Sequence, residues 1–209
     1  MMNTFKTLAA IALILGFVSC SNDDDATPLL EVETETVANL HAPQSGGQGQ
    51  PVSGAFTRFD FETGAETTSE TDWDVAFRGT TIIVNGGESQ SSTDEPERTG
   101  DAAVYIADGT MSTVTDVDAS LFTQDSASGF AIATGSGNGW YNYTGAPSHL
   151  INPIPGKILV FRTTAGLYAK VEIISYYENA PAEPDAFSDA TPYYTFNYVY
   201  QPNAGVTTF

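Results

Sequence analysis

The chain has a single cysteine, Cys20, in 209 residues. An intramolecular disulfide is therefore excluded, and the fold must rest on packing and hydrogen bonding. Bases are almost as scarce, with seven Lys and Arg against 26 Asp and Glu for a formal charge of −19. Nucleic acid is excluded as a partner, because phosphate binding needs clustered cations. Attraction to an anionic membrane surface fails on the same sign. No apolar run reaches the ~20 residues of a spanning helix, the longest being residues 8–17. Downstream of it no sustained 3.6-residue apolar period appears, so no long amphipathic helix is expected. The only histidines, His41 and His149, lie far apart without HExxH spacing, so no zinc site is expected. The acids follow no twelve-residue calcium pattern. The glycine-rich run at 135–139 precedes a strand pattern rather than the helix that a phosphate cradle requires. No catalytic constellation emerges, and the chain reads as a non-enzyme.

What is present begins with a leader. A short segment bearing Lys6, the apolar run 8–17, and then Val18, Ser19 and Cys20 have the form of a lipoprotein signal peptide. Residues 1–19 are predicted to be removed and Cys20 to be the lipid attachment point, the natural use of a lone thiol directly after an export signal. The acids Asp23, Asp24 and Asp25 open a polar stretch that composition predicts to stay solvated, giving a tether over 20–36. An acidic cluster in that place resembles the surface-export signal of Bacteroidota lipoproteins. It implies an outer-membrane lipoprotein facing outward, held to the membrane through its lipid alone. The seven bases include Lys6, so the mature chain carries 26 acids against six bases.

Residues 37–209 are the right size for one domain with a proper core, and their pattern predicts an all-β fold of mostly antiparallel strands. Runs rich in Val, Ile, Thr, Tyr and Phe recur between turn signals at 55–61, 72–78, 80–85, 102–107, 130–134, 139–144, 157–163, 167–177 and 193–201. In the last of these Tyr194, Phe196, Tyr198 and Tyr200 fall on one side, the mark of a strand with one buried face. Thr163, Thr164, Ala165 and Gly166 join two apolar runs and predict a hairpin, with Gly166 supplying a positive φ. The segments 86–100 and 179–192 are loops long enough to be either functional or disordered.

Several motifs then carry a resemblance. Asp72-Trp73-Asp74-Val75-Ala76-Phe77-Arg78, Asn85-Gly86-Gly87-Glu88-Ser89 and Trp140-Tyr141-Asn142-Tyr143 come first. His149 through Gly156, Val160-Phe161-Arg162, Tyr168 through Ile173, Tyr176-Tyr177 and Tyr194 through Tyr198 follow in order. Together they resemble the HmuY family over roughly residues 52–201. The resemblance implies a lipid-anchored, surface-exposed all-β haemophore for iron acquisition. Such a protein captures haem, or a related porphyrin, and hands it to a TonB-dependent outer-membrane receptor. Members clamp the iron of haem b between two histidines or two methionines.

The mature chain offers few such donors: His149, His41 and Met111. His149, between two predicted strands, is the leading axial ligand, and Met111 is the candidate opposite it. Tyr141 and Tyr143 could contact the porphyrin or fill the core. There is one departure: the histidine position of the family falls on Gly145, four residues before His149. A surface module without iron, taking a glycan, a peptide or a partner lipoprotein, is the alternative. No metal beyond haem iron is expected.

Overall fold

The structure is a computed structural model that describes residues 28–47 and 49–209. The signal peptide, Cys20 and the first part of the expected tether lie outside the described residues. The strands, in chain order, are β1 (Glu33–His41), β2 (Ser45–Gly47), β3 (Gln50–Ser53), β4 (Thr57–Asp60), β5 (Ala65–Thr67), β6 (Val75–Arg78) and β7 (Thr81–Val84). They continue as β8 (Ala103–Asp108), β9 (Tyr141–Tyr143), β10 (Ile151–Pro153), β11 (Lys157–Arg162), β12 (Tyr168–Ser175) and β13 (Tyr193–Gln201). A single 3-10 turn at Ala119–Leu121 is the helical element among the described residues.

Two antiparallel sheets carry the fold, a five-stranded one in the order β1-β13-β12-β11-β8 and a four-stranded one in the order β5-β4-β6-β7. The period-2 alternation of β13 explains how they meet. Its Tyr194, Phe196, Tyr198 and Tyr200 are all buried and share one core with Phe59 and Phe77 of the other sheet and with Phe61 just past β4. Phe59 stands edge-on to Phe196 at 5.5 Å, and Phe61 lies 5.2 Å from Phe161. Such pairs add about 0.5–1.5 kcal/mol each beyond the area they bury.

The outer faces of both sheets are covered as well. Ala76 and Ile83, which alternate away from the core, pack with Phe56, Trp73 and Phe130. Ile158 and Val160 do the same with Tyr105, Val114, Met111, Phe122 and Phe209. Irregular segments supply these lids. The β11–β12 hairpin forms as expected, with Gly166 at φ +77° and Leu159 paired with Val171.

Two segments depart from the sequence expectation. Residues 33–36, assigned to the tether, pair with β13 from Glu33↔Tyr200 to Thr36↔Asn197. Their side chains are exposed, so composition looks solvated while one side of the backbone is paired with β13. Residues 130–134 form no strand. Phe130 packs onto the Trp73 cluster, the Ala131 amide donates to the Asp125 carboxylate at 2.8 Å, and the chain then turns through Gly135 and Gly137 at positive φ.

The segment 86–100 is ordered. Arg98 pairs with Glu95 at 2.7 Å and with Asp125 at 2.9 Å, with these side chains 1 % exposed or less. Asp125 also accepts from the Val84 amide at 3.1 Å, so one buried carboxylate ties this segment to β7. Burial pushes the Asp125 carboxyl up, against its hydrogen bonds and the Arg98 charge. Breaking one partner of such a pair would strand the other charge.

Candidate functional site

The candidate site grows from the β9–β10 hairpin, where Ile151 pairs with Tyr143 and Pro153 with Tyr141. The loop 144–150 closes on itself. The Thr144 amide donates to the Leu150 carbonyl at 2.9 Å, and the His149 amide to the Gly145 carbonyl at 2.8 Å. The Leu150 amide donates back to Thr144 Oγ1 at 2.8 Å. This closure requires Gly145 at φ +68° and His149 at φ +52°, both in the left-handed region. Glycine enters that region freely, and histidine is among the few other residues enriched there. The position that the resemblance gives to a histidine is thus glycine because the turn needs it, and the histidine of this loop stands four residues later.

His149 is exposed, and its Nδ1 is hydrogen-bonded to the Tyr143 hydroxyl. Phe187, from the segment 179–192, meets the imidazole edge-on at 5.7 Å. Phe187 is 75 % exposed and Tyr143 44 %, so the three rings form an aromatic surface open to solvent. When Nδ1–H donates to the phenol oxygen, the lone pair of Nε2 is free to meet a metal. Among the described residues Nε2 has no hydrogen-bond partner.

The floor beneath this surface is tightly packed. Trp140 lies 5.0 Å from Tyr141, 5.1 Å from Tyr194 and 5.9 Å from Tyr176, with its Nε1 donating to the Thr80 carbonyl at 3.0 Å. The Tyr177 hydroxyl accepts from the Ile151 amide at 2.9 Å, which pins β10 to the main core. Burial holds the Tyr176 and Tyr194 phenols well above their ordinary range. The floor is therefore neutral and apolar.

The remaining sequence candidates fall elsewhere. Tyr141 is buried against Trp140 and belongs to the core, so it presents no face to a ligand. Met111 packs in the cluster on the outer face of the five-stranded sheet, and its carbonyl accepts from Lys170 Nζ at 2.8 Å. Leu150 and Ile151, next to His149, pack into the inner core instead. The structure does not bring Met111 and His149 together, because the sheet lies between their clusters. His41 stacks on Tyr193 with ring centroids 4.5 Å apart. Phe187 is the residue that sequence reasoning missed. Its one signal was being the lone aromatic in an acidic, proline-bearing segment.

The HmuY protein family model matches residues 55–198. A comparison with curated proteins finds no match. Among solved structures, the apo form of a Tannerella forsythia HmuY analog superposes with a TM-score of 0.50 at 14 % identity, over 84 % of this chain and 99 % of that one. That likeness carries the fold. A Bacteroides fragilis protein named as a lipoprotein gives 0.48 at 14 % identity, over 84 % of this chain and 96 % of its own. A Bacteroides vulgatus protein named as an HmuY-like haem-binding protein gives 0.47 at 15 % identity, over 82 % and 93 %.

Proposed function

The chain belongs to the HmuY family, and on that footing we propose that it is a surface lipoprotein anchored through Cys20, which captures haem b or a related porphyrin and passes it to a TonB-dependent receptor of the outer membrane. The observation that carries this reading is the exposed His149, oriented by Tyr143 through Nδ1 and flanked by Phe187. Imidazole is a natural axial donor to haem iron, and a second partner on its other nitrogen is how such donors are oriented. Phe187 and Tyr143 offer ring surface to the macrocycle.

The iron has one protein donor in this reading. Met111 is not part of the site, since it packs in the cluster on the other face of the five-stranded sheet. The formal charge of −19 opposes the two propionates, so affinity must come from the iron–nitrogen bond and the apolar face of the ring. Screening by salt should strengthen the complex.

Haemin titrated into the full chain, followed by absorbance, tests the proposal. A shifted and sharpened Soret band that His149→Ala abolishes and Met111→Leu leaves in place is the expected result. An unchanged band under both oxidising and reducing conditions rejects the reading. The single donor favours one second reading, a surface module for a glycan, peptide or partner lipoprotein. Saturable binding of an oligosaccharide or peptide without any Soret change would select it.

A further inference from the structure

β1 is an outer strand of the five-stranded sheet, hydrogen-bonded to β13 on one side. Its continuous pairing runs over residues 33–37, before the register shifts between Val37 and Leu40. An outer strand of this kind presents a row of amides and carbonyls on its free side, a template for one more strand. Two open grooves flank it. One, of about 600 Å³, lies on the outer face and is lined by Thr34, Thr36, Met111, Glu172 and Asn197. The other, of about 200 Å³, lies on the opposite side and is lined by Glu33, Glu35, Glu62 and Tyr198. Because side chains alternate along a strand, a strand added to β1 would place its residues into the two grooves in turn.

Charge identifies the occupant. Among the described residues Glu33, Glu35, Glu62 and Glu172 form no ion pair, whereas Arg58, Arg98, Lys157 and Arg162 are committed to Glu70, to Glu95 with Asp125, to Asp108 and to Asp101. The two other described cations, Arg78 and Lys170, are buried at 4 % exposure each. Arg78 donates to the Gly54 and Thr93 carbonyls, and Lys170 to those of Met111 and Val114. Every described cation is thus engaged elsewhere, and the acids along β1 can be matched only from outside. A second copy of this chain would bring the same acids to the contact, and like charges across an interface repel. The acids at residues 23–25 give the chain's own N-terminal segment the wrong sign too. Burial, then the field of Glu35 and Glu33, already holds the Tyr198 hydroxyl above its usual range.

We propose that the free edge of β1 is a docking strand for an extended segment of a partner protein with Lys or Arg at alternate positions, which joins the sheet beside residues 33–37 as a sixth strand. Backbone hydrogen bonds supply affinity in this mode, and the two acidic grooves supply specificity. The inference does not depend on haem: it rests on the edge, the grooves and the charge.

The test uses the full chain and a short fluorescent peptide alternating lysine and threonine, in three forms: the parent, one with every amide methylated, and one with glutamate replacing lysine. The parent should bind saturably, weaken with added salt, and bring hydrogen-exchange protection to residues 33–37. The methylated and glutamate forms should not bind. Reversing two exposed charges, Glu33→Lys with Glu35→Lys, should weaken the parent peptide roughly tenfold while circular dichroism stays unchanged. Equal binding of the methylated peptide would reduce the effect to unspecific attraction and overturn the proposal. So would protection at another strand, or a linear, unsaturable titration. The salt and methylation comparisons decide the matter even where the double variant folds poorly.

Discussion

His149 and Met111 are the two side chains that the sequence pairs as axial donors to haem iron, and the structure treats them in opposite ways. His149 sits at the tip of a hairpin whose floor is packed, so its imidazole is held outward with Nδ1 bound by Tyr143. Met111 sits in a crossing segment drawn down onto the outer face of the five-stranded sheet, where Lys170 Nζ binds its carbonyl and that of Val114 at 2.8 and 2.7 Å. Phe209 closes over the same ammonium at 4.7 Å. The same kind of donor is presented in one region and consumed as packing in the other. What the backbone is anchored to decides availability, more than residue type does.

The strongest way to break this contrast is to remove the floor. Trp140 is 2 % exposed, and Trp140→Ala should cost about 3–5 kcal/mol, measured by urea unfolding. Haem binding should fall with it, since loop 144–150 loses its seat. An intact Soret response in a destabilised Trp140→Ala protein would show that the loop stands without its floor.

Next comes Lys170→Met, which keeps most of the side-chain bulk but leaves the Met111 and Val114 carbonyls without their donor. Buried acceptors left unmatched cost about 1–3 kcal/mol each, and loss of the ammonium's own desolvation offsets part of that. A net destabilisation of roughly 1–3 kcal/mol with unchanged haem affinity is expected. Lost haem binding in a folded Lys170→Met protein would instead mean that the two regions are coupled.

Alkaline titration separates the regions by sign. Burial raises the phenols of Tyr176, Tyr194 and Tyr200 above their ordinary 10.0. Their stabilisation is complete below pH 10 and is lost as pH rises towards the folded-state values. Burial lowers the Lys170 amine from 10.5. That group therefore costs stability at neutral pH, and the cost is relieved as pH climbs from its lowered value to 10.5. Tyr177 and Tyr198 are raised in the same direction, and five phenols outweigh one amine, so stability should fall from pH 10 upward. Lys170→Met, lacking the opposing group, should fall more steeply, and equal slopes in chemical denaturation across pH 9–11 would remove the amine from the account.

The sandwich was readable where side chains report burial. β13 announces itself through Tyr194, Phe196, Tyr198 and Tyr200, and the β11–β12 hairpin through its turn and Gly166. β1 was not readable, because an outer strand pairs through its backbone while Glu33 and Glu35 stay in water and look like tether. Residues 130–134 failed the other way: apolar, β-branched content fed a turn with no strand beside it. In the candidate site, the short list of possible donors pointed to His149. Phe187 was hidden because contacts between distant loops leave no local period, and the placement of Met111 depended on Lys170, a charge buried in a strand where composition expects solvent.

The smallest change sharpens the contrast most. Tyr143→Phe keeps the ring beside His149 and deletes the one group that fixes its Nδ1. Both residues are exposed, so stability should move by no more than about 0.5 kcal/mol. Under the proposed reading, haem affinity should nevertheless fall about tenfold, the lower end of what outer partners of metal-binding histidines contribute. The imidazole would then be free to rotate, and binding would first have to select the orientation that presents Nε2. An affinity equal to that of the parent protein would mean that Tyr143 only covers the ring. His149 would then owe its orientation to the backbone of loop 144–150 alone.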